Sequence, residues 1–195
     1  MKNKKIIQFL QSFVAIPLFA TTLPFAGVTA IQSQAVAISQ EPTQITSSLL
    51  TPEEAKIRAE HIKDVNDFFE SRNAPLAGYG EKFVDEAAKN DIDWRLLPAI
   101  ATRESNAGKD ACKSSKAPNN NFGWFSCKRG FSSVDESIEY ISKTLGGNNE
   151  KAPHYTDDMN TTQILKRYNP DSIVPGYSKQ VIRIMKVINS DEDII

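Results

Sequence analysis

"LPAIATRESNAGKD" occupies residues 97–110 and decides how the rest of the chain is read. The run is apolar as far as Ala101 and turns polar at Thr102. At about 100° per residue, Leu97, Ile100 and Glu104 fall within about 60° of one another on a helix. The stripe that must face a core therefore ends in a carboxylate. Pro98 fits only near the start of a helix, and the pattern stops at Asn106-Ala-Gly108. Asp91 and Asp93 are candidates for the cap at its beginning. Glu104 is placed in the last turn, where the negative end of the helix dipole disfavours a charge. Apolar neighbours disfavour it as well, so a raised pKa is expected. The alternative is a Glu104 that turns outward or pairs with Arg103 or Arg95, and periodicity alone leaves both readings open.

Other helices stand on either side. Thr51-Pro-Glu-Glu54 has the form of a capping box with proline in the first turn, and Ile57, Val65, Phe68 and Phe69 carry that helix to about Arg72. A second helix is predicted over Glu81 to Asn90, with Phe83, Val84 and Ala87 inward. Residues 109–132 show no period and read as a structured loop with a short hairpin. Ser133 to Glu136 forms another capping box, and Val134, Ile138, Ile141 and Leu145 step along one face until Gly146-Gly147. A short helix over Thr162 to Tyr168 stops before Pro170. A last one, Tyr177 to Asn189, buries Val181, Ile184, Met185 and Ile188. The tail "SDEDII" reads as loose. The predicted fold class is mainly α: a helical bundle around the central helix that ends in Glu104.

The chain has 195 residues, a formal net charge of -1 and a 40% hydrophobic fraction, enough for one ordinary domain with extensions. This balance, with no basic patch interleaved with aromatics, gives no reason to expect a nucleic-acid partner. His61 and His154 share no ligand spacing with acids or cysteines, so no metal site is expected. Met1-Lys-Asn-Lys-Lys5 is a basic start, and no charged residue occurs from Ile6 to Gln40. The apolar run, broken by Pro17 and Pro24 and closing on Val28-Thr-Ala30, reads as a secretory signal over residues 1–30. An uncleaved membrane anchor is the alternative. A Gln/Ser/Thr-rich linker follows over 31–50, then the first helix and its connection over 51–78, the main domain over 79–190 and the acidic tail over 191–195. A secreted or cell-envelope location is expected. In that setting Cys112 and Cys127, fifteen apart, are most simply a disulfide, worth about 3 kcal/mol by loop entropy. A catalytic thiol served by His154 is the sharper alternative.

Two further stretches carry chemistry. "APNNNFGWFSC", residues 117–127, supplies amides at Asn119, Asn120 and Asn121, flat rings at Phe122, Trp124 and Phe125, and close backbone approach at Gly123. Sugars fit that mixture, since their CH faces stack on rings and their hydroxyls take directional hydrogen bonds. A protonated carboxylic acid beside it is what glycoside hydrolysis uses to protonate a leaving oxygen. "RYNPDSIVPGYSKQV", residues 167–181, places Tyr168 and Tyr177 at a helix junction.

The order of these motifs carries a resemblance. A helix ending Arg-Glu-Ser-x-x-Gly (103–108), then Asn-Asn-x-Phe-Gly (119–123), then Tyr-Asn-Pro (168–170) and Tyr-x-x-x-Val (177–181), resembles the glucosaminidase-type peptidoglycan hydrolases of the lysozyme-like superfamily over about residues 79–188. The resemblance implies an α+β lysozyme-like domain whose disulfide-closed loop or hairpin forms one side of a glycan groove. It implies Glu104 as the catalytic acid, with Tyr168 as the tyrosine beside it. It implies Asn120, Asn121, Phe122, Gly123, Trp124 and Tyr177 as substrate-binding residues. The partner is then the glycan strand of peptidoglycan, no metal or organic cofactor is needed, the membrane is met only through the signal segment, and the chain acts as a monomer. The sequence departs from that pattern in the tryptophan after Gly123, in the cysteines of the loop and in the shortness of residues 108–119. No second catalytic carboxylate is evident; Asp110, Asp135 and Glu139 are the candidates, the last two on a face that reads as solvated. The Gly-Leu-Met-Gln run of many transglycosylases is absent, which favours hydrolysis on the N-acetylglucosamine side.

Overall fold

Capping chemistry starts the first helix where the sequence places it. In α1 (Pro52–Glu70) the Thr51 hydroxyl accepts from the backbone of Glu54, and the Glu54 carboxylate accepts from the Thr51 backbone at 2.7 Å. The computed structural model describes residues 50–113, 115–191, 193 and 194. The signal and linker readings therefore lie outside the described residues. Among the described residues no helix is long and apolar enough to cross a membrane.

Six further helices follow: α2 (Gly80–Lys89), α3 (Leu96–Ser105), the single turn α4 (Trp124–Cys127), α5 (Val134–Leu145), α6 (Thr161–Tyr168) and α7 (Tyr177–Ile188). The fold is mainly helical, and no strand occurs among the described residues. The hairpin expected in residues 109–132 does not form. Asn119, Phe125, Ser126 and Cys127 all have positive φ there, and asparagine side chains take the backbone groups a ladder would use.

The helices share one core. Val65, Phe68 and Phe69 of α1 are buried with Phe83, Val84 and Ala87 of α2, Ile138, Ile141 and Leu145 of α5, and Val181, Met185 and Ile188 of α7. Each of these side chains other than Ala87 contributes about 1.5–3 kcal/mol by leaving water. Residues 51–78 thus complete the same core as residues 79–190. Ile184 is only half-buried, and Ile57 stays exposed. α1 meets α2 closely because position 80 is glycine. A Cβ there would lie 2.6 Å from the Ile62 carbonyl oxygen, and the Asn66 amide oxygen accepts from the backbones of Gly78 and Gly80.

Four local expectations are corrected. The residue that starts α3 is Arg95, without a side-chain cap, and Asp91 has a left-handed φ of 53°. Asp93 instead accepts from the Arg95 backbone and forms a two-point ion pair with its guanidinium, both side chains being almost wholly buried. Ser133 caps α5 by accepting from the Glu136 backbone, but Glu136 reaches back to Ser132, so the box is shifted by one residue. The tail is tied down as far as Asp193, whose carbonyl accepts from Arg95 at 2.9 Å, while Ile194 packs on the core. A capping box at Asn160 and Gln163 starts α6 one residue before the expected Thr162.

Two outcomes follow. Asp93→Ala leaves a buried guanidinium uncompensated and lowers stability by about 3–5 kcal/mol in urea denaturation. The second concerns acid. The Thr51 backbone and hydroxyl hold Glu54 below the usual carboxylate value, and the Ser132 hydroxyl and backbone do the same for Glu136. A carboxylate lowered on folding contributes fully above its unfolded value near 4.5, and that contribution is lost as pH falls through the lower folded value. Replacing both by Gln flattens that acid limb of a stability-versus-pH curve.

Candidate active site

α3 delivers Glu104 because its first six residues, Leu96 to Ala101, are all buried. The helix ends in a left-handed Asn106, with the Ala107 N–H donating to the Ala101 carbonyl at 3.2 Å. Glu104 is half-buried at the edge of the core, one turn above Ile100. Its Oε1 accepts a hydrogen bond of 2.6 Å from the Tyr177 hydroxyl of α7. The outward alternatives are not realised. The Arg103 Nε donates to Gln180 at 2.7 Å, and Arg95 pairs with Asp93.

The other carboxylate oxygen faces the loop. A Cβ built on Gly123 would lie 2.9 Å from Glu104 Oε2, and Gly123 has a φ of 61°. Glycine meets both demands at once, giving close approach and a left-handed backbone. The loop around it is held by Asn120, which is fully buried. Its Oδ1 accepts from the backbones of Phe122 and Trp124, and its Nδ2 donates to the carbonyls of Trp124 and Arg129. Asn121 is also buried and turns inward, its amide oxygen against Gly108. Phe122 is in the core. Asn120 and Asn121 build the wall and spend their amides on it, whereas Phe122, though buried, also lines the adjoining cavity. Cys112 and Cys127 close the loop as a disulfide, which removes the catalytic-thiol alternative.

The two tyrosines take different partners. Tyr177 bonds Glu104 and is fully buried, so it acts on the acid and does not reach a ligand surface. Tyr168 donates to the Phe122 carbonyl and fastens the loop to α6. Its hydroxyl end is enclosed while part of its ring stays at the surface. Burial, then the neighbouring Tyr168 and the Glu104 charge, push the Tyr177 phenol far above its ordinary value. Burial, then Glu104, raise Tyr168 similarly. Both therefore remain donors across the working pH range. Their rings stack at 6.0 Å, and Trp124 continues the row 5.6 Å from Tyr168.

A cavity of about 430 Å³ opens over this row, within the size range of small-ligand sites. Of the residues singled out in the sequence, Glu104, Phe122, Gly123, Trp124 and Tyr168 line it. The rest of its lining was not legible in the sequence and includes Tyr140 of α5, Lys151, His154 and Tyr155 of the α5–α6 connection, and Arg167 of α6. "KAPHY" (151–155) lies between helices, has no period and gave no signal. Phe125 and Ile173 stand at the mouth with 63% and 71% exposure. Among the described residues Glu104 is the one carboxylate in the lining. Asp110, Asp135 and Glu139 are exposed elsewhere, the last near Lys82. The Trp124 indole N–H is buried without a partner among the described residues.

No family model matches this chain, and no curated protein matches it. The site must be read from its own groups: one carboxylate fixed by a phenol on one side and a glycine backbone on the other, under an aromatic row. Gly123→Ala forces a left-handed alanine against Glu104. It lowers stability by about 1–2 kcal/mol in thermal denaturation, plus whatever the displaced carboxylate adds.

Proposed function

We propose that this protein is an exported glycosidase that cleaves the β-1,4-linked glycan strands of peptidoglycan, with Glu104 as the general acid. The observation that carries the reading is the Tyr177–Glu104 hydrogen bond at the edge of a cavity walled by Trp124 and Tyr168. An acid that protonates a glycosidic oxygen needs a fixed direction, and a buried phenol on one oxygen leaves the other to address the bond. The aromatic row suits the apolar faces of sugar rings. The likeness of residues 103–108, 119–123 and 168–181 to glucosaminidase-type enzymes points the same way, towards a lysozyme-like domain and the N-acetylglucosamine side of the bond. No cofactor is part of the proposal.

In this reading the substrate lies across Trp124 and the exposed edge of Tyr168, with its scissile oxygen at Glu104. Proton transfer from Glu104 lets the leaving sugar depart as positive charge grows on the ring carbon and its oxygen. The Glu104 carboxylate, now ionised, keeps the Tyr177 hydrogen bond, which is stronger to the charged form. With one carboxylate in the lining, the nucleophile that displaces the leaving sugar is best supplied by the substrate's own acetamido oxygen, and water, giving a proton to Glu104, then opens the oxazolinium ring so formed. The same observation favours a second reading, in which a muramyl hydroxyl attacks instead of water and leaves an anhydro end. Mass spectrometry of digested strands separates the two, since hydrolysis leaves a free reducing sugar.

Glu104→Gln should remove muropeptide release from purified sacculi, a loss of about 10²–10⁴-fold or more, with the circular dichroism spectrum unchanged. Release at the original rate would remove the assignment. Tyr177→Phe should lower kcat about tenfold with little effect on KM, the loss expected for one hydrogen bond to the acid.

A further inference from the structure

Trp124 carries the largest ring of the cavity lining, and it is a point at which the chain leaves the pattern of the enzymes it resembles. A ring that carries a ligand binds best when its angle is fixed in advance. The indole does not fix its own angle, because its N–H is buried and donates to nothing among the described residues. Asn120 holds only the backbone of this residue, accepting from its N–H and donating to its carbonyl. The side-chain torsions are therefore set by whatever packs on the ring.

Three rings surround it. Tyr168 of α6 lies 5.6 Å away, Tyr140 of α5 lies 6.4 Å away with its plane turned by 70°, and Phe125 meets it edge-on at 5.5 Å. All three separations fall in the range of favourable aromatic pairs. Phe125 is largely exposed and gives little support, and Tyr168 is anchored by its hydroxyl on the Phe122 carbonyl. The Tyr140 ring is held differently, by a cation. The Arg129 guanidinium lies over it, 3.8 Å from the ring centroid and 5.3 Å from that of Phe131, which itself sits 5.7 Å from Tyr140. The Arg129 Nε is buried without a hydrogen-bond partner among the described residues, so ring faces are what its charge is set against. That attraction grows where water is excluded, and a planar guanidinium stacks where an ammonium does not. Tyr140 lines the cavity and Arg129 does not. Asn120 also donates to the Arg129 carbonyl, so one amide ties the backbone at both ends of the stack.

We propose that Arg129 is a positioning residue for the ligand platform: it holds Tyr140, and Tyr140 holds the Trp124 indole at the angle at which a sugar ring stacks on it. Affinity for the glycan is thereby set in part by a cation that never touches it. The inference rests on reading the cavity as a glycan groove for the identity of the ligand, while the support of Trp124 by the stack stands on the packing alone.

The chain carries two tryptophans, Trp94 and Trp124, so labelling with 5-fluorotryptophan gives two fluorine resonances. Trp124→Phe identifies the one from the cavity, and Trp94, buried in the core, reports whether the fold is intact. Expected is that Arg129→Ala splits or broadens the Trp124 resonance and leaves that of Trp94 in place. Should Arg129→Ala disturb Trp94 as well, Arg129→Gln, which removes the charge and keeps much of the side chain, is read in its place. Arg129→Lys keeps a cation for the ring and should restore a single Trp124 line. Tyr140→Phe keeps the ring and should leave the line sharp, whereas Tyr140→Leu should behave as Arg129→Ala does. Calorimetry on the Glu104→Gln chain with a tetrasaccharide of N-acetylglucosamine should show about threefold to tenfold weaker binding after Arg129→Ala, the range one cation–ring contact supplies, and recovery with Arg129→Lys. A Trp124 line that stays single and sharp without the Arg129 charge overturns the proposal. Unchanged glycan affinity in a chain whose Trp124 line has split overturns it too. A parent chain that never binds or cleaves glycan, yet whose Trp124 line answers to Arg129, sinks the glycosidase reading and leaves the stack standing as the support of Trp124.

Discussion

α3 has no solvent face through Leu96–Ala101, and the position of every group at the candidate site depends on that burial. A helix enclosed on all sides cannot rotate or slip by a residue without opening cavities in a close-packed interior. It packs most extensively against α7, and also meets α2 and α5. Glu104, in its last turn, is therefore placed where the core gives way to the cavity. The same packing brings Tyr177 of α7 within 2.6 Å of it. The Asp93–Arg95 ion pair sits just before α3 and reaches the carbonyls of Asn189 and Asp193, so the start of α3 and the end of α7 are fixed together.

The loop after α3 supports the acid from its other side. Its backbone is irregular, and its order comes from side chains: Asn120 satisfies four backbone groups, Asn119 donates to the Phe131 carbonyl, and the disulfide closes the ends. Left-handed residues from Gly123 onwards cost conformational energy that such cross-links must offset. The result is a glycine backbone pressed against one carboxylate oxygen and a carbonyl, that of Phe122, held by Tyr168. Two tyrosines from adjoining helices thus serve one geometry. One holds the acid and the other holds the loop that faces it.

Charge completes the picture of the cavity. Among the described residues Glu104 is the one carboxylate of the lining, which also holds Lys151, His154 and Arg167. Elsewhere Arg58 is matched by Glu81 and Asp85 across α1 and α2. Exposed pairs of that kind contribute little stability each.

Local and periodic features were legible from the sequence. The capping box at Thr51, the stripe of α5, the inward faces of α2 and α7 and the end of α3 near Asn106 each depend on residues within a turn or two of one another. The backbone period and the hydrogen-bonding reach of a side chain act over that range. The phase that puts Glu104 in line with Leu97 and Ile100 is of this kind, and so is the pairing of two cysteines in a short loop. What only the tertiary structure decided is which distant groups meet. Tyr168 and Tyr177 look alike as helix-junction tyrosines, and their roles differ because α7, not α6, packs along α3. Asn120 and Asn121 look like ligand donors, yet the nearest acceptors and donors in the folded loop are backbone groups, and these take them first. "KAPHY" carries no period because it sits between helices, so its place on the cavity wall arises only when α5 and α6 close around it. A sequence displays the groups that can do chemistry; the packing of helices that are far apart in the chain selects which of them share a site.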